Sequence, residues 1–169
     1  LAEAVAPVIV YGKGISAFGG EAVMDAMVRV AKLTGASDSE RRGILSVKGE
    51  ANSLAAAQLK MDIPFDAKNR KVAYLAVGDD YVSKRLLKSL EDVPYLVVQA
   101  SYESALTERA DLVLPVNIWA EEAGHALNTE GRLQFAEAAL TAPEGVRSNL
   151  DVLKEVAKQL GVTVNDDWR

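Results

Sequence analysis

Five short apolar runs punctuate the chain: Val8–Tyr11, Ile44–Val47, Val72–Val77, Tyr95–Gln99 and Leu112–Val116. They are rich in β-branched residues and continuous rather than alternating. That is the pattern of strands in a parallel sheet, buried on both faces. The segments between them carry a helical period. In the first, Val23, Met27, Val30 and Thr34 recur at one-turn spacings, and Gly35 supplies a left-handed stop. Asn52–Lys60 reads as an Ala-rich helix that Pro64 cannot continue. Val82, Leu86, Leu87 and Leu90 mark a third helix that ends before Pro94, while Ser101–Ala110 has room for a short helix or turn. Strand and helix in strict alternation predict an α/β fold: a doubly wound, mostly parallel, Rossmann-like sheet with helices on both faces. Leu86, Leu87 and Leu90, with Val152, Leu153 and Val156 of a last helix, are expected to be core stripes. That last helix opens with a capping box at Ser148-x-x-Asp151 and is stopped by Gly161.

The 169 residues fit one domain, and the 49% that are hydrophobic suffice for its core. Nineteen basic against 24 acidic side chains leave a net charge of −5, which argues against a nucleic-acid partner. There is no cysteine and one histidine, His125, so disulfides, thiolate catalysis and Cys-ligated zinc or iron–sulfur centres have no ligands in this chain. No apolar run approaches the roughly 20 residues of a membrane span, so direct membrane insertion is not expected. The N-terminus shows no signal-peptide core and no initiator Met, which is the expectation for a piece excised from a larger subunit.

Open parallel sheets bind ligands beyond the carboxyl ends of their strands. Gly12-Lys13-Gly14, Gly78-Asp79-Asp80, Gln99-Ala100-Ser101 and Pro115-Val116-Asn117 stand there. Glycines at such ends admit a phosphate or simply make a tight turn. Asp79 and Asp80 suit ribose hydroxyls or a metal, although Asp80 is equally placed to cap a helix near Tyr81. Glu121-Glu122 reads either as an acid/base pair or as a solvated face. Glu121–Gln134, with Gly124, Asn128 and Gly131, reads as a long ordered loop. Arg132 is expected to be its principal internal donor, bridging carbonyls and Glu122 or Glu130, or else to face a ligand cleft. No nucleophile, base and oxyanion hole assemble from these residues, and no catalytic residue is assigned.

The segments together are more specific than any one residue. Ile9-Val10-Tyr11-Gly12-Lys13-Gly14, Ala51-Asn52-Ser53, Val77-Gly78-Asp79-Asp80 and Leu96-Val97-Val98-Gln99 come in order. Ala110-Asp111-Leu112-Val113-Leu114-Pro115 follows, then Glu122-x-Gly124 and Asn128-x-Glu130-Gly131-Arg132-x-Gln134. This series, over nearly the whole chain, resembles the molybdopterin oxidoreductase superfamily. The resemblance implies a Rossmann-like domain from the central-to-C-terminal part of a large oxidoreductase subunit. Two branches are implied. In the molybdenum enzymes, such as formate dehydrogenases, Asn52, Gly78, Asp79, Asp80, Asn128 and Arg132 would lie near molybdopterin guanine dinucleotide. In the large iron–sulfur subunits of respiratory NADH–quinone oxidoreductase (complex I), the fold carries no molybdenum cofactor. Leu54-Ala55 replaces a frequent Gly-Ala pair, and Ala100 a frequent acidic residue; both departures favour the complex I branch. That branch implies a structural role with no cofactor in this chain. Iron–sulfur clusters would lie on N-terminal domains outside it, and the partners would be the rest of the large polypeptide and other peripheral-arm subunits. The location would be cytoplasmic, at the inner face of the cell membrane.

Overall fold

The computed structural model describes residues 3–37, 43–47, 51–63 and 65–164. The expected stop at Pro64 lies outside them. All five expected strands form: β1 (Val8–Tyr11), β2 (Gly43–Ser46), β3 (Val72–Gly78), β4 (Tyr95–Ala100) and β5 (Leu112–Pro115). The helices between and after them are α1 (Lys13–Leu33), α2 (Ser53–Gln58), α3 (Lys84–Ser89), α4 (Ala105–Arg109) and α5 (Asn149–Gln159). Every pairing among these strands is parallel: β1 with β2, β3 with β4, and β4 with β5. The α/β class with parallel sheets is therefore what the chain adopts.

The chain divides into two compact units, Leu1–Ile63 with His125–Gln134, and Pro64–Gly124 with Phe135–Arg169. In the first, β1 and β2 form a two-stranded sheet. Helix α1 starts one residue after the Gly12 cap and ends in a Schellman motif, with Ala36 N–H donating to Ala31 O at 2.7 Å and Gly35 at φ 67°. The expected glycine-rich loop at Gly12-Lys13-Gly14 is thus the entry of a helix.

The second unit holds the order β3-β4-β5. Its core is Leu75, Leu90, Val93, Leu96, Val98 and Leu106, with small alanines between the layers and Leu86 and Leu87 against its edge. Burial on both faces is realised only in β4, the central strand; β3 alternates, and β1 and β2 leave Val8, Val10 and Leu45 exposed. Of the stripe expected on α5, Val152 is buried and Leu153 is exposed.

Polar side chains set the ends of these elements. Ser83 caps α3 by accepting from Leu86 N–H, so Asp80 does not. Ser104 and Thr107 close a reciprocal box on α4, and Ser148 accepts from Asp151 N–H on α5. Asp111 starts β5: its Oδ2 accepts from Leu96 N–H at 2.7 Å and its own N–H donates to Leu96 O at 3.0 Å. The expected loop 121–134 contains strands instead, β6 (Gly124–Leu127) and β7 (Leu133–Ala136), paired as a two-stranded sheet. Their five-residue connection is too short for a parallel crossover, so the pair is an antiparallel hairpin. Glycines at 124 and 131 and the charges of Glu121, Glu122, Glu130 and Arg132 mask its period in the sequence.

Arg109, at the end of α4, covers the C-terminus of α3. Its guanidinium donates to Leu90 O, to Glu91 O at 2.8 Å and to Leu87 O at 3.5 Å. Leu87 O and Leu90 O each accept a main-chain N–H as well, from Leu90 and Val93, so the guanidinium adds a second bond to each at the helix end. Replacing Arg109 by Ala removes these charge-assisted bonds, and urea unfolding of the Arg109→Ala variant should show a loss of about 1–3 kcal/mol.

Candidate functional site

The six residues implied by the resemblance fall into two sets, one in each unit. Asn52, Asn128 and Arg132 belong to the first; Gly78, Asp79 and Asp80 belong to the second.

Asn52 precedes α2 in the left-handed region, at φ 61°, and its side chain does not cap that helix. It bonds β6 instead, with Nδ2 donating to His125 O at 3.1 Å and Oδ1 accepting from Leu127 N–H at 2.7 Å. A carboxamide presents donor and acceptor side by side, so Asn52 engages β6 much as a strand neighbour would. Asn128 orders the hairpin turn: its Oδ1 accepts from Glu130 N–H at 3.0 Å and from Arg132 N–H at 2.9 Å. Its main chain pairs with Arg132 O, and Gly131, at φ 80°, makes the bend. Arg132 is not the donor that holds this segment. Its side chain is 77% exposed and, among the described residues, pairs with Glu130 at 3.3 Å in a surface ion pair. The turn needs short-range acceptors for main-chain N–H groups, and the short side chain of an asparagine meets that need better than a long guanidinium.

In the second unit, Gly78 ends β3 at a bulge, at φ 55°, and its carbonyl accepts from Ser101 N–H. The left-handed conformation is why a glycine stands there. Asp79 Oδ2 accepts from Trp119 N–H at 3.1 Å, which fixes the 3-10 turn Trp119–Glu121 at this strand end. Asp80 N–H bonds Val77 O, leaving its side chain at the exposed rim. Together with Tyr81, Tyr102 and Glu103 these residues line a cavity of about 300 Å³ beyond β3 and β4. Among the described residues, no group of three or more His, Asp or Glu side chains is placed to hold a metal ion. No helix among them is long and apolar enough to cross a membrane.

Glu121 and Glu122 are not an acid/base pair. Glu121 accepts from Ile118 N–H at 3.0 Å, whereas Glu122 turns to Asn149. Gln99, Tyr74 and Asn149 join in a polar network at the end of β4. Gln99 is fully buried on β4; Tyr74 O–H donates to its Oε1 at 2.6 Å, and its Nε2 donates to Asn149 Oδ1 at 2.7 Å. A glutamine in an otherwise apolar run is the signal that marks it for such a role. Asn149 and Tyr74 carry no such mark, because each belongs to a pattern that only the fold brings to Gln99.

Asn128→Ala removes the one oxygen that accepts both turn bonds and should cost about 1–2 kcal/mol in denaturant unfolding, whereas Arg132→Ala should stay within about 0.5 kcal/mol of the parent. Partial burial raises the Tyr74 phenol above the ordinary tyrosine value. A raised folded value favours the protonated form, so this contribution to stability is complete below about pH 10 and is lost as pH rises through the folded value. In an ultraviolet titration of the five tyrosines, one should ionise late, and Tyr74→Phe should remove that step.

A model of the family described as molybdopterin oxidoreductase matches residues 1–159. A subunit of the NADH-quinone oxidoreductase of Rickettsia prowazekii is 25% identical over 168 residues, covering 98% of this chain and 24% of that protein. The assimilatory nitrate reductase of Haloferax mediterranei is 41% identical over 66 residues, 39% of this chain and 9% of its own length. The F420-dependent formate dehydrogenase subunit alpha of Methanocaldococcus jannaschii is 34% identical over 98 residues, 56% of this chain and 15% of its own. The chain thus spans about a quarter or less of the length of these curated relatives. With parallel strands, polar strand ends and a family match over residues 1–159, the chain belongs to the molybdopterin oxidoreductase family.

Proposed function

We propose that this chain is a scaffolding domain in the large subunit of a respiratory NADH–quinone oxidoreductase: a Rossmann-like piece of a longer polypeptide that supplies no reacting group. Electrons pass from NADH to quinone through the whole complex, and the isolated chain oxidises no NADH. Near-complete coverage by the NADH-quinone oxidoreductase relative supports this branch, since the nitrate reductase and formate dehydrogenase matches are shorter. The carrying observation is that the side chains available to a nucleotide are already engaged within the fold. Asn52 is occupied by β6, Asn128 by its turn, Asp79 by Trp119 N–H, and the space over Gly78 by Asn149.

The residues present fit a pterin guanine dinucleotide poorly. Asp79, Asp80 and Glu103 line the cavity with carboxylates, which repel a diphosphate, and Arg132 pairs with Glu130. On this reading the iron–sulfur clusters sit on N-terminal domains of the same polypeptide. The partners are those domains and other peripheral-arm subunits, at the inner face of the cell membrane. The cavity beside Gly78, and the higher identity of the shorter nitrate reductase and formate dehydrogenase matches, favour the molybdenum branch. Elemental and nucleotide analysis of the full-length protein separates the two. Iron without molybdenum, and no guanine nucleotide released on acid hydrolysis, is the expected result. Stoichiometric molybdenum together with guanine nucleotide would overturn the proposal.

A further inference from the structure

Three large aromatic residues stand around the strand ends of the second unit and remain in water: Tyr81 is 87% exposed, Tyr102 61% and Trp119 77%. Tyr81 and Tyr102 line the cavity beyond β3 and β4, and Trp119 is tied to its edge by the bond from its main-chain N–H to Asp79 Oδ2. A second hollow, of about 400 Å³, shares Ala100, Tyr102 and Glu103 with the first and runs on to Thr107, Glu108 and Pro115. The two make one groove along the ends of β3, β4 and β5, with Tyr102 and Glu103 at its middle. Its charge has one sign. Asp79, Asp80, Glu103 and Glu108 line it, and among the described residues none of these carboxylates has an ion-pair partner. Lys84, the next cation along the chain from Asp80, lines a different hollow, between α3 and α4. The carboxylates are spread along the groove rather than gathered, and no three of them are placed to hold a metal ion.

We infer that this groove docks an arginine-bearing segment of a separate subunit, with a guanidinium stacked on Tyr81 or Tyr102 and paired to the carboxylates beside them. Exposed Tyr and Trp are the residues that carry binding energy at protein interfaces, and arginine is their frequent counterpart. The chemistry selects arginine over lysine. A planar guanidinium lies against an aromatic face and forks to a carboxylate at once, whereas the ammonium of lysine is a compact, strongly hydrated point charge. The unpaired charge selects a separate polypeptide. Carboxylates of one sign steer a cationic partner that has to be found by diffusion, and a segment already held close by its own tether gains nothing from steering. The inference rests on the scaffolding reading and names one of its partners by chemistry, because a bound nucleotide at these strand ends would leave that partner no room.

Fluorescence anisotropy on the full-length protein at low salt tests it. The probes are labelled peptides of alternating glycine and arginine, and counterparts in which lysine or uncharged citrulline replaces arginine. Asp80, Tyr81, Tyr102 and Glu103 are all exposed, so changing them leaves the core intact. The parent should bind the arginine peptide, with the lysine peptide about fivefold weaker and the citrulline peptide about tenfold weaker. Asp80→Asn with Glu103→Gln should weaken the arginine peptide about tenfold, and Tyr81→Ala with Tyr102→Ala about fivefold with every charge kept. Glu137→Gln with Glu144→Gln removes the same charge at exposed positions that do not line the groove, and should bind as the parent does. No binding by the parent, or an equal loss in the two charge-removing pairs, overturns the docking site. Lysine or citrulline peptide bound as tightly as arginine overturns the guanidinium as its occupant. Guanine nucleotide released from the parent, with peptide bound only after its removal, overturns the scaffolding reading as well.

Discussion

The second unit depends on the burial of β4. It is the strand with neighbours on both sides, and Leu96 and Val98 lie in the centre of the cluster that joins α3, α4 and the sheet. Burying a Leu or Val side chain fully contributes about 1.5–3 kcal/mol, so a strand covered on both faces organises its neighbours. The same burial makes Gln99 demanding. An amide without water must find partners in the protein, because an unsatisfied one costs about 1–3 kcal/mol. Tyr74 and Asn149 answer that demand, and in doing so they set where β3 and α5 meet β4.

The motifs by which the family is recognised work here as structural devices. In Ala110-Asp111-Leu112-Val113-Leu114-Pro115, the aspartate supplies the acceptor that starts β5 beside Leu96, and Pro115 ends the strand at the sheet edge, where a missing N–H is tolerated. In Asn128-x-Glu130-Gly131-Arg132, the asparagine and glycine build the hairpin turn, and the charged pair lies on the surface. In Glu122-x-Gly124, the glutamate closes the Asn149 contact.

The strands were legible because a run of β-branched residues has few alternatives to an extended conformation, and the glycine stops because only a residue without Cβ enters the left-handed region without strain. Gly35 and Gly161 both end their helices in that way, at φ 67° and 72°. The hairpin was not legible, since its strands are four residues long and largely exposed, too short for the Leu133-Gln134-Phe135 alternation to stand out. Asn128 rather than Arg132 holds the turn for a related reason. Donor count favours arginine, but reach and exposure decide, and those exist only in the folded chain.

Local sterics and the period of apolar residues were enough to specify the α/β class, the five strands, their parallel pairing and the glycine stops of α1 and α5. Which strand is buried on both faces, which carboxylates and amides are taken up internally, and that Asn149 stands over Gly78 were settled by the folded chain alone. Those features depend on residues 25 to 75 positions apart meeting across elements, and no local propensity encodes such a meeting.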